Sequence, residues 1–272
     1  MNLNVLNYKI KKRYFNIFGE RIYSSYTEAM ANCSTEGYEN EVITQLIKNK
    51  AIKFRADFNN KTPIHFKNNN ILALLSTLNG LVQNNEIVNV IDFGGGDGSI
   101  YFLLKRCISK KIKLNWYVVE TSAIVKAFKD LETENLFFRD DLTQLLKTLS
   151  HVDILHTACA FQYTPEPVQF LTNISNSNAQ YKIYNRQSLN AGERYLWTIQ
   201  RSLLSWHGSK DTKIDFKNCE IKYPHLNMPV SEFEKIVQNK NEILYTFEDN
   251  TGIKKVNKEN IIGKSYVVAL RK

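Results

Sequence analysis

A run of glycines directly after an apolar segment is the feature of this 272-residue sequence most suited to chemistry. Residues 90–99 read VIDFGGGDGS, so Asp92 is followed by glycines at the alternate positions Gly94, Gly96 and Gly98. Glycine loses more conformational entropy on folding than any other residue and adds no side chain to a core. The cluster therefore predicts a loop whose backbone a ligand approaches closely, next to the free N–H groups at the start of a helix.

Acidic residues farther along the chain fit the same ligand. Glu120 closes the apolar run LNWYVVE, about 20 residues after the glycines, where a carboxylate binds ribose hydroxyls in nucleotide-binding folds. Asp140 and Asp141 follow the next apolar run, where a carboxylate can accept a hydrogen bond from an adenine amino group. We prefer Asp141, with Asp140 close behind, although a helix N-cap explains Asp141 equally well. The predicted ligand-binding residues are Asp92, Phe93, Gly94, Gly95, Gly96, Gly98, Glu120, Thr121, Asp140, Asp141 and Leu142.

The spacing of the glycines distinguishes between two nucleoside cofactors, NAD and S-adenosylmethionine. The dinucleotide pattern GxGxxG would need a third glycine at position 99, which is Ser99. An acid followed by Gly-x-Gly-x-Gly is instead typical of the S-adenosylmethionine loop of class I methyltransferases, and Asp92 begins that pattern here. We expect the acid to hold the loop and the amino-acid end of the cofactor. The spacing therefore favours S-adenosylmethionine over NAD.

The elements that must position these residues alternate along the chain. Short apolar strands are predicted at 87–93, 114–120, 136–138, 152–159 and 181–185, with helices between them. This alternation predicts an α/β fold with a doubly wound, mostly parallel sheet. Two closing strands, at 242–247 and 265–270, are expected to form an antiparallel pair at one edge. Residues 1–85 are predicted to be a helical extension and residues 86–272 the cofactor-binding domain, with a weakly periodic segment at 187–229 covering the site.

Composition narrows the classes of partner. The 43% of hydrophobic residues suits an ordinary globular protein. The net charge of +9 suits anionic ligands, but the basic residues are dispersed, so a nucleic-acid partner is not expected. None of the four cysteines forms a CxxC pair, and we predict no metal. No apolar run reaches the roughly 20 residues that span a bilayer, which predicts a cytoplasmic protein.

With these motifs in place, the sequence resembles a family of class I methyltransferases associated with surface-polysaccharide gene clusters. The matching segments are IFGERIYSSYTEAMANCSTEGYENEVI, VIDFGGGDGSIYF, LNWYVVET, ILHTACAFQYTPEP, YKIYNRQSL, the region of Gln200 and YPHLNMPVSEFEKI. The resemblance implies a Rossmann-like methyltransferase fold with an N-terminal extension. It also implies S-adenosyl-L-methionine as donor, S-adenosyl-L-homocysteine as product, and a small sugar, nucleotide-sugar or polysaccharide precursor as acceptor.

Transfer of a methyl group to a hydroxyl needs alignment of the acceptor and removal of its proton. Histidine is the usual base near neutral pH, and we place His207 first and His225 second, both in the covering segment. His156 lies within the fourth predicted strand and is expected to be structural. The predicted substrate contacts are Gln162 and Tyr163, after that strand, and Arg186, after the fifth.

Three other functions remain open from the sequence alone. A nucleic-acid methyltransferase would explain the net charge but would need a base-binding motif where this chain has CAFQY, at residues 159–163. A non-catalytic module could keep the fold for binding alone. An NAD-dependent oxidoreductase is disfavoured by Ser99.

Overall fold

The centre of the molecule is a mostly parallel sheet. In the computed structural model, which describes residues 21–33, 41–58, 64, 69–208, 218–249 and 255–271, ten strands are found. They are β1 (Ile87–Phe93), β2 (Lys113–Val119), β3 (Leu136–Arg139), β4 (Ile154–Ala158), β5 (Tyr181–Asn190), β6 (Leu196–Leu203), β7 (Glu220–Pro229), β8 (Asn241–Glu248), β9 (Lys255–Val256) and β10 (Glu259–Leu270).

The order of the strands identifies the fold. The main path is β3-β2-β1-β4-β5-β10-β8. The first five strands of this path are parallel, whereas β10 runs antiparallel to both β5 and β8. A reversed strand inserted next to the edge is the arrangement of class I methyltransferases and differs from the 3-2-1-4-5-6 order of the dinucleotide-binding fold. The predicted fold class and the antiparallel closing strands are confirmed.

Helices cover both faces of the sheet. They are α1 (Tyr26–Ala31), α2 (Glu41–Asp57), α3 (Asn69–Leu81), α4 (Ser99–Lys105), α5 (Ser122–Phe128), α6 (Leu142–Thr148), α7 (Pro167–Asn176) and α8 (Val230–Gln238). The alternation of side chains along β1 divides the core, because Val90 packs with α3, α4 and α5 whereas Ile91 packs with α6, α7 and α8. The helices between β1 and β5 therefore fix where each parallel strand ends.

The segment predicted as a weakly periodic cover is largely β-structure. β5 continues to Asn190, and β6 and β7 form an antiparallel hairpin whose β7 strand also pairs in parallel with the end of β5. β7 is buried at nearly every position after Tyr223. The alternation of polar and apolar residues in β7 changes phase at Pro224, between EIKY and HLNM, and a proline inside such a run argues against a strand, which explains the weak strand signal of the sequence. Residues 209–217 of this segment lie outside the described residues.

The helices before the sheet pack onto it and onto the hairpin. The ring of Tyr26 in α1 lies 5.6 Å from the ring of Trp197 in β6. Ile43 and Leu46 of α2 pack with Leu204, after β6. The described part of the predicted extension is helical, while its boundary at residue 85 stays a prediction. No helix in the described ranges is both long enough and apolar enough to cross a membrane.

One buried cation lies at the start of β5. Lys182 is 0% exposed, and its Nζ donates hydrogen bonds to the carbonyl oxygen of Ala179 at 3.0 Å and to Oδ1 of Asn241 at 2.7 Å. Burial, with a smaller effect from Lys240, lowers the pKa of Lys182 to about 8. The protonated amine is thus less stable in the folded protein than in the unfolded chain.

Because the unfolded chain keeps this proton to a higher pH, the folded state gains stability as the pH rises above about 8. We expect the unfolding free energy of the wild type, relative to Lys182→Met, to rise by about 1–2 kcal/mol between about pH 8 and about pH 10. Urea titrations at several pH values measure this difference. The exposed Lys126 provides the control, since Lys126→Met should differ from the wild type by the same amount at every pH. A pH-independent difference for Lys182→Met would contradict the interpretation.

Candidate functional site

The glycine loop lies at the carboxyl edge of the parallel strands, between β1 and α4. Gly94, Gly96 and Gly98 have φ angles of 73°, 59° and 69°, in the left-handed region that favours glycine. In open α/β sheets ligands bind at this edge, where the strand order reverses on either side of β1. The backbone conformation therefore accounts for the alternate glycines of the sequence motif.

The glycines differ in what surrounds them. A Cβ atom added to Gly94 would lie 2.2 Å from Cβ of Ala160, and one added to Gly95 would lie 2.5 Å from Oδ2 of Asp92. A Cβ added to Gly96 would have no atom of the described residues within 4 Å, apart from its neighbours in the chain. Packing inside the protein thus excludes side chains at Gly94 and Gly95, whereas the space next to Gly96 is open to a ligand.

Glu120 meets this loop from the end of β2. Its Oε1 accepts a hydrogen bond from the backbone N–H of Gly96 at 3.0 Å, and its Oε2 accepts one from the N–H of Thr121 at 3.2 Å. Burial raises the pKa of Glu120 above its ordinary value. Oγ1 of Thr121 is buried and has no hydrogen-bond partner in the described structure. The structure therefore brings the predicted ribose-binding carboxylate onto the open part of the glycine loop.

Asp92 lies inside the sheet, next to the glycine loop. Its side chain is 1% exposed and accepts hydrogen bonds from Nε1–H of Trp116 at 3.2 Å and from Nδ1 of His156 at 2.7 Å. The carboxylate therefore faces the interior of the sheet and supports the loop from below. The expectation that the acid holds the loop fits this position, while a contact between Asp92 and the amino-acid end of a ligand stays a prediction. Phe93 packs against Phe170, with ring centroids 5.3 Å apart.

The acidic pair after β3 is exposed at the same edge. Oδ1 of Asp141 accepts a hydrogen bond from the N–H of Gln144 at 2.9 Å, so Asp141 is the N-cap of α6. Oδ2 of Asp140 accepts from Oγ of Ser122 at 2.8 Å, and Leu142 is buried. The helix-cap explanation of Asp141 is confirmed, while a role for either aspartate in binding adenine stays a prediction.

On the other side of the loop, residues from β4, the turn after it and β7 meet. Phe161–Tyr163 forms a short 3-10 helix, and the ring of Tyr163 lies 4.9 Å from that of His225. Sγ of Cys159 lies 3.9 Å from Nε2 of His225 and 4.0 Å from Oη of Tyr163. The structure thus brings together one predicted substrate contact, one predicted base and a thiol whose pKa is raised by burial.

Gln162 has a fixed amide orientation. The backbone carbonyl oxygen of Asn185 accepts a hydrogen bond from Nε2 of Gln187 at 2.7 Å. Oε1 of Gln187 is therefore left to accept a hydrogen bond from Nε2 of Gln162. Gln162 is 1% exposed, and its remaining Oε1 has no partner in the described part of the chain. This buried oxygen is a hydrogen-bond acceptor that lacks a donor.

The two predicted bases lie in different surroundings. His225 is fully buried, its Nδ1 has no partner among the described residues, and burial lowers its pKa to about 4. His207 follows β6, and its Nε2 lies 3.0 Å from Oγ of Ser202, which in turn lies 3.3 Å from Oη of Tyr223. Burial, followed by the charge of Lys50, lowers the pKa of His207. His225 contacts Tyr163 directly, whereas the hydrogen bonds of His207 lead toward that ring through Ser202 and Tyr223.

Two residues of the edge have a left-handed backbone without being glycine. The φ angles are 52° for Cys159 and 56° for Arg186, conformations that cost about 1–3 kcal/mol for such residues. At Arg186 the pairing of β5 with β10 shifts by one residue, and its N–H donates to Oγ of Ser265 at 2.9 Å. The bulge exposes the Arg186 side chain, whose guanidinium forms no hydrogen bond or ion pair with any residue described here.

The sequence motifs missed several residues of this site. Asn185, Gln187 and the thiol of Cys159 were not expected there, since Cys159 lies in an apolar run. A signal was nevertheless present. β4 and β5 carry polar residues, in HTA at 156–158 and NRQS at 185–188, where fully buried parallel strands are usually apolar.

Neither a family model nor a curated protein matches the sequence. Similar solved structures include the N-terminal domain of EvdMO1 with SAH bound, at 11% identity, covering 74% of this chain and 79% of that one with a TM-score of 0.45. An S-adenosylmethionine-dependent methyltransferase from Clostridium acetobutylicum ATCC 824 is 13% identical, covering 80% and 95% with a TM-score of 0.41. Magnesium protoporphyrin IX methyltransferase (ChlM) from Synechocystis PCC 6803 with bound SAM is 11% identical, covering 85% and 98% with a TM-score of 0.42. TM-scores below 0.5 decide neither fold nor function, so both rest on the strand order and site geometry of this chain.

The surroundings of the glycines lead to a test of the loop. Gly94→Ala should lower the unfolding free energy by about 2–4 kcal/mol, because the new methyl group meets Ala160 and the φ angle disfavours alanine. Gly80→Ala in the exposed last turn of α3, where a Cβ meets nothing, should instead raise it by about 0.5–1 kcal/mol. Chemical denaturation measures both values. Equal effects of the two substitutions would show that Gly94 does not make the close contact.

Proposed function

We propose that this protein is a methyltransferase that uses S-adenosyl-L-methionine to methylate a hydroxyl group of a small, sugar-linked acceptor. The observation that carries the proposal is the contact of the Glu120 carboxylate with the Gly96 N–H of an Asp-x-Gly-x-Gly-x-Gly loop. This contact occurs in a sheet whose reversed strand β10 distinguishes it from the dinucleotide-binding fold.

The residues at the edge of the sheet fit this donor. Glu120 offers two oxygens to the ribose hydroxyls, and the open space next to Gly96 lets the nucleoside lie against the backbone. Asp140 or Asp141 would accept from the adenine amino group, and Oγ1 of Thr121 is a buried group still in need of a partner. When bound, S-adenosylmethionine supplies a methyl group already activated on a sulfonium and leaves as S-adenosylhomocysteine. The chain therefore needs only to align the acceptor and take its proton.

The groups on the acceptor side favour a ligand that donates hydrogen bonds. Oε1 of Gln162 can only accept, and it is held in place through Gln187. His225 stays unprotonated well below neutral pH, since its pKa is about 4, and it lies next to Tyr163. We therefore assign His225, rather than His207, as the base that takes the proton of an acceptor hydroxyl.

The remaining features narrow the acceptor further. The guanidinium of Arg186, which is exposed and has no partner within the described ranges, suits a phosphate or carboxylate attached to that acceptor, as in a nucleotide sugar. A sugar-linked acceptor and a place in surface-polysaccharide synthesis are also implied by the sequence resemblance. They form part of the proposal, together with a cytoplasmic location and the absence of a metal.

The donor assignment is tested by calorimetry with S-adenosylmethionine, S-adenosylhomocysteine and NAD. We expect the first two to bind and NAD not to bind. Glu120→Gln should weaken S-adenosylmethionine about 10- to 100-fold, because a charged acceptor for the ribose hydroxyls is lost. Gly96→Ala should abolish binding, because its methyl group would point into the space proposed for the ligand, while its φ angle of 59° should lower the unfolding free energy by only about 1 kcal/mol and leave the protein folded.

Glu134→Gln, at an exposed glutamate before β3, is the matched control and should bind like the wild type. Binding of NAD in place of S-adenosylmethionine would refute the proposal. If Glu120→Gln bound S-adenosylmethionine as tightly as the wild type, Glu120 would not bind the donor and the proposal would lose its main support.

The acceptor is tested by incubation with methyl-labelled S-adenosylmethionine and a cell metabolite extract, with total RNA as a separate arm. We expect label in a small hydroxyl-bearing product. Once the product is identified, His225→Gln should lower kcat at least about 100-fold and His207→Gln less than about threefold, with donor affinity unchanged in both. Label in RNA would favour a nucleic-acid methyltransferase. Donor binding without any labelled product would favour a non-catalytic module.

A further inference from the structure

Four polar side chains, each at most 1% exposed, form a continuous line across the sheet below the glycine loop. Trp116 of β2 donates from Nε1 to Oδ2 of Asp92 in β1 at 3.2 Å. Oδ1 of Asp92 lies 2.7 Å from Nδ1 of His156 in β4. Nε2 of His156 lies 3.0 Å from Nδ2 of Asn185 in β5. The line thus crosses four of the five parallel strands, β2, β1, β4 and β5.

With the amide nitrogen of Asn185 facing His156, the direction of every bond in the line follows. The amide nitrogen of Asn185 can only donate, so Nε2 of His156 accepts from it. Nδ1 of His156 then carries the hydrogen and donates it to Asp92. His156 is therefore a neutral imidazole in the Nδ1–H form, and Asp92 accepts from two buried donors.

The two ends of the line lie next to two different parts of the candidate site, the glycine loop and the acceptor side. Asp92 lies directly below the loop, since a Cβ on Gly95 would come within 2.5 Å of its Oδ2. At the other end, the backbone carbonyl oxygen of Asn185 accepts hydrogen bonds from the N–H of Cys159 at 3.1 Å and from Nε2 of Gln187 at 2.7 Å. Gln187 in turn holds Gln162. His156 is the link between these two halves.

We propose that His156 is a positioning residue that sets the glycine loop through Asp92 and the acceptor side through Asn185. Its two ring nitrogens serve the two halves separately. A buried polar network holds the groups around it in one arrangement, because breaking any of its bonds leaves a buried donor or acceptor unpaired. The proposal goes beyond the proposed function and does not require that function to be correct.

Two substitutions test the contacts of the two ring nitrogens of His156 separately. The amide of His156→Asn replaces Nδ1 and keeps a donor for Asp92, but it loses the contact with Asn185. The amide of His156→Gln reaches the position of Nε2 and keeps an acceptor for Asn185, but it leaves Oδ1 of Asp92 without a donor. Thr157→Val is the matched control on the same strand, since Oγ1 of Thr157 is buried and has no partner in the described residues.

Amide hydrogen exchange gives the main readout. His156→Gln should speed exchange about tenfold or more in residues 92–98, with a smaller change in residues 159–163 and 185–187. His156→Asn should give the opposite pattern, and Thr157→Val should change neither region. Calorimetry should show S-adenosylmethionine weakened about tenfold by His156→Gln and less than about threefold by His156→Asn.

Nitrogen NMR of the histidine-labelled wild type tests the proton assignment directly, with the His156 signal identified by its loss in His156→Gln. A neutral ring protonated on Nδ1 is expected. A ring protonated on Nε2, or exchange that increases equally in both regions with both variants, would overturn the proposal and leave His156 a purely structural residue. If the wild type does not bind S-adenosylmethionine, the proposed function fails, while the exchange pattern and the NMR signal still decide the role of His156.

Discussion

The buried carboxylate of Asp92 is the constraint on which the site depends. A carboxylate inside a sheet is costly unless donors surround it, and here Trp116 and His156 supply them. The same oxygen that accepts from Trp116 leaves no room for a side chain at Gly95. The acid, the two donors and the glycine therefore form one unit, and the loop above them can take only a narrow set of conformations.

The reversed strand β10 has a comparable effect on the acceptor side. Because β10 pairs with β5 through a shift in register, Arg186 takes a left-handed conformation and its side chain leaves the sheet. Cys159, next to it at the end of β4, has a left-handed backbone as well. Strain of this kind persists only where surrounding structure holds it, and here the N–H groups of Arg186 and Cys159 are bonded to Ser265 and Asn185.

The two sides of the site differ in chemical character. The donor side combines open backbone at Gly96 with the carboxylate of Glu120, which suits the hydroxyls of a nucleoside. The acceptor side instead presents buried acceptors in Gln162 and a neutral imidazole in His225. An enzyme that joins a cationic donor to a hydroxyl needs this division, because one half must fix the donor and the other must receive a proton.

The sequence by itself determined the parts of this protein that depend on local order. The alternate glycines, Glu120 at the end of a strand and the alternation of strands and helices were sufficient to predict the fold class and to place the glycine loop and Glu120 at the carboxyl edge of the sheet. These features follow from neighbours in the chain, because a left-handed glycine or the end of a strand is a local property.

Only the tertiary structure decided which distant residues meet. It turned the side chain of Asp92 inward, because its donors come from β2 and β4. It also placed His225 next to Tyr163 by pairing β7 with β6 and with the end of β5. Periodicity does not indicate such contacts, because it reports which face of an element is buried and not which distant element packs against that face. The hydrogen bonds that lead from Asp92 to Gln162 likewise arise only when β1, β4 and β5 lie side by side, because all of them except the bond between Gln187 and Asn185 join residues that are far apart in the chain.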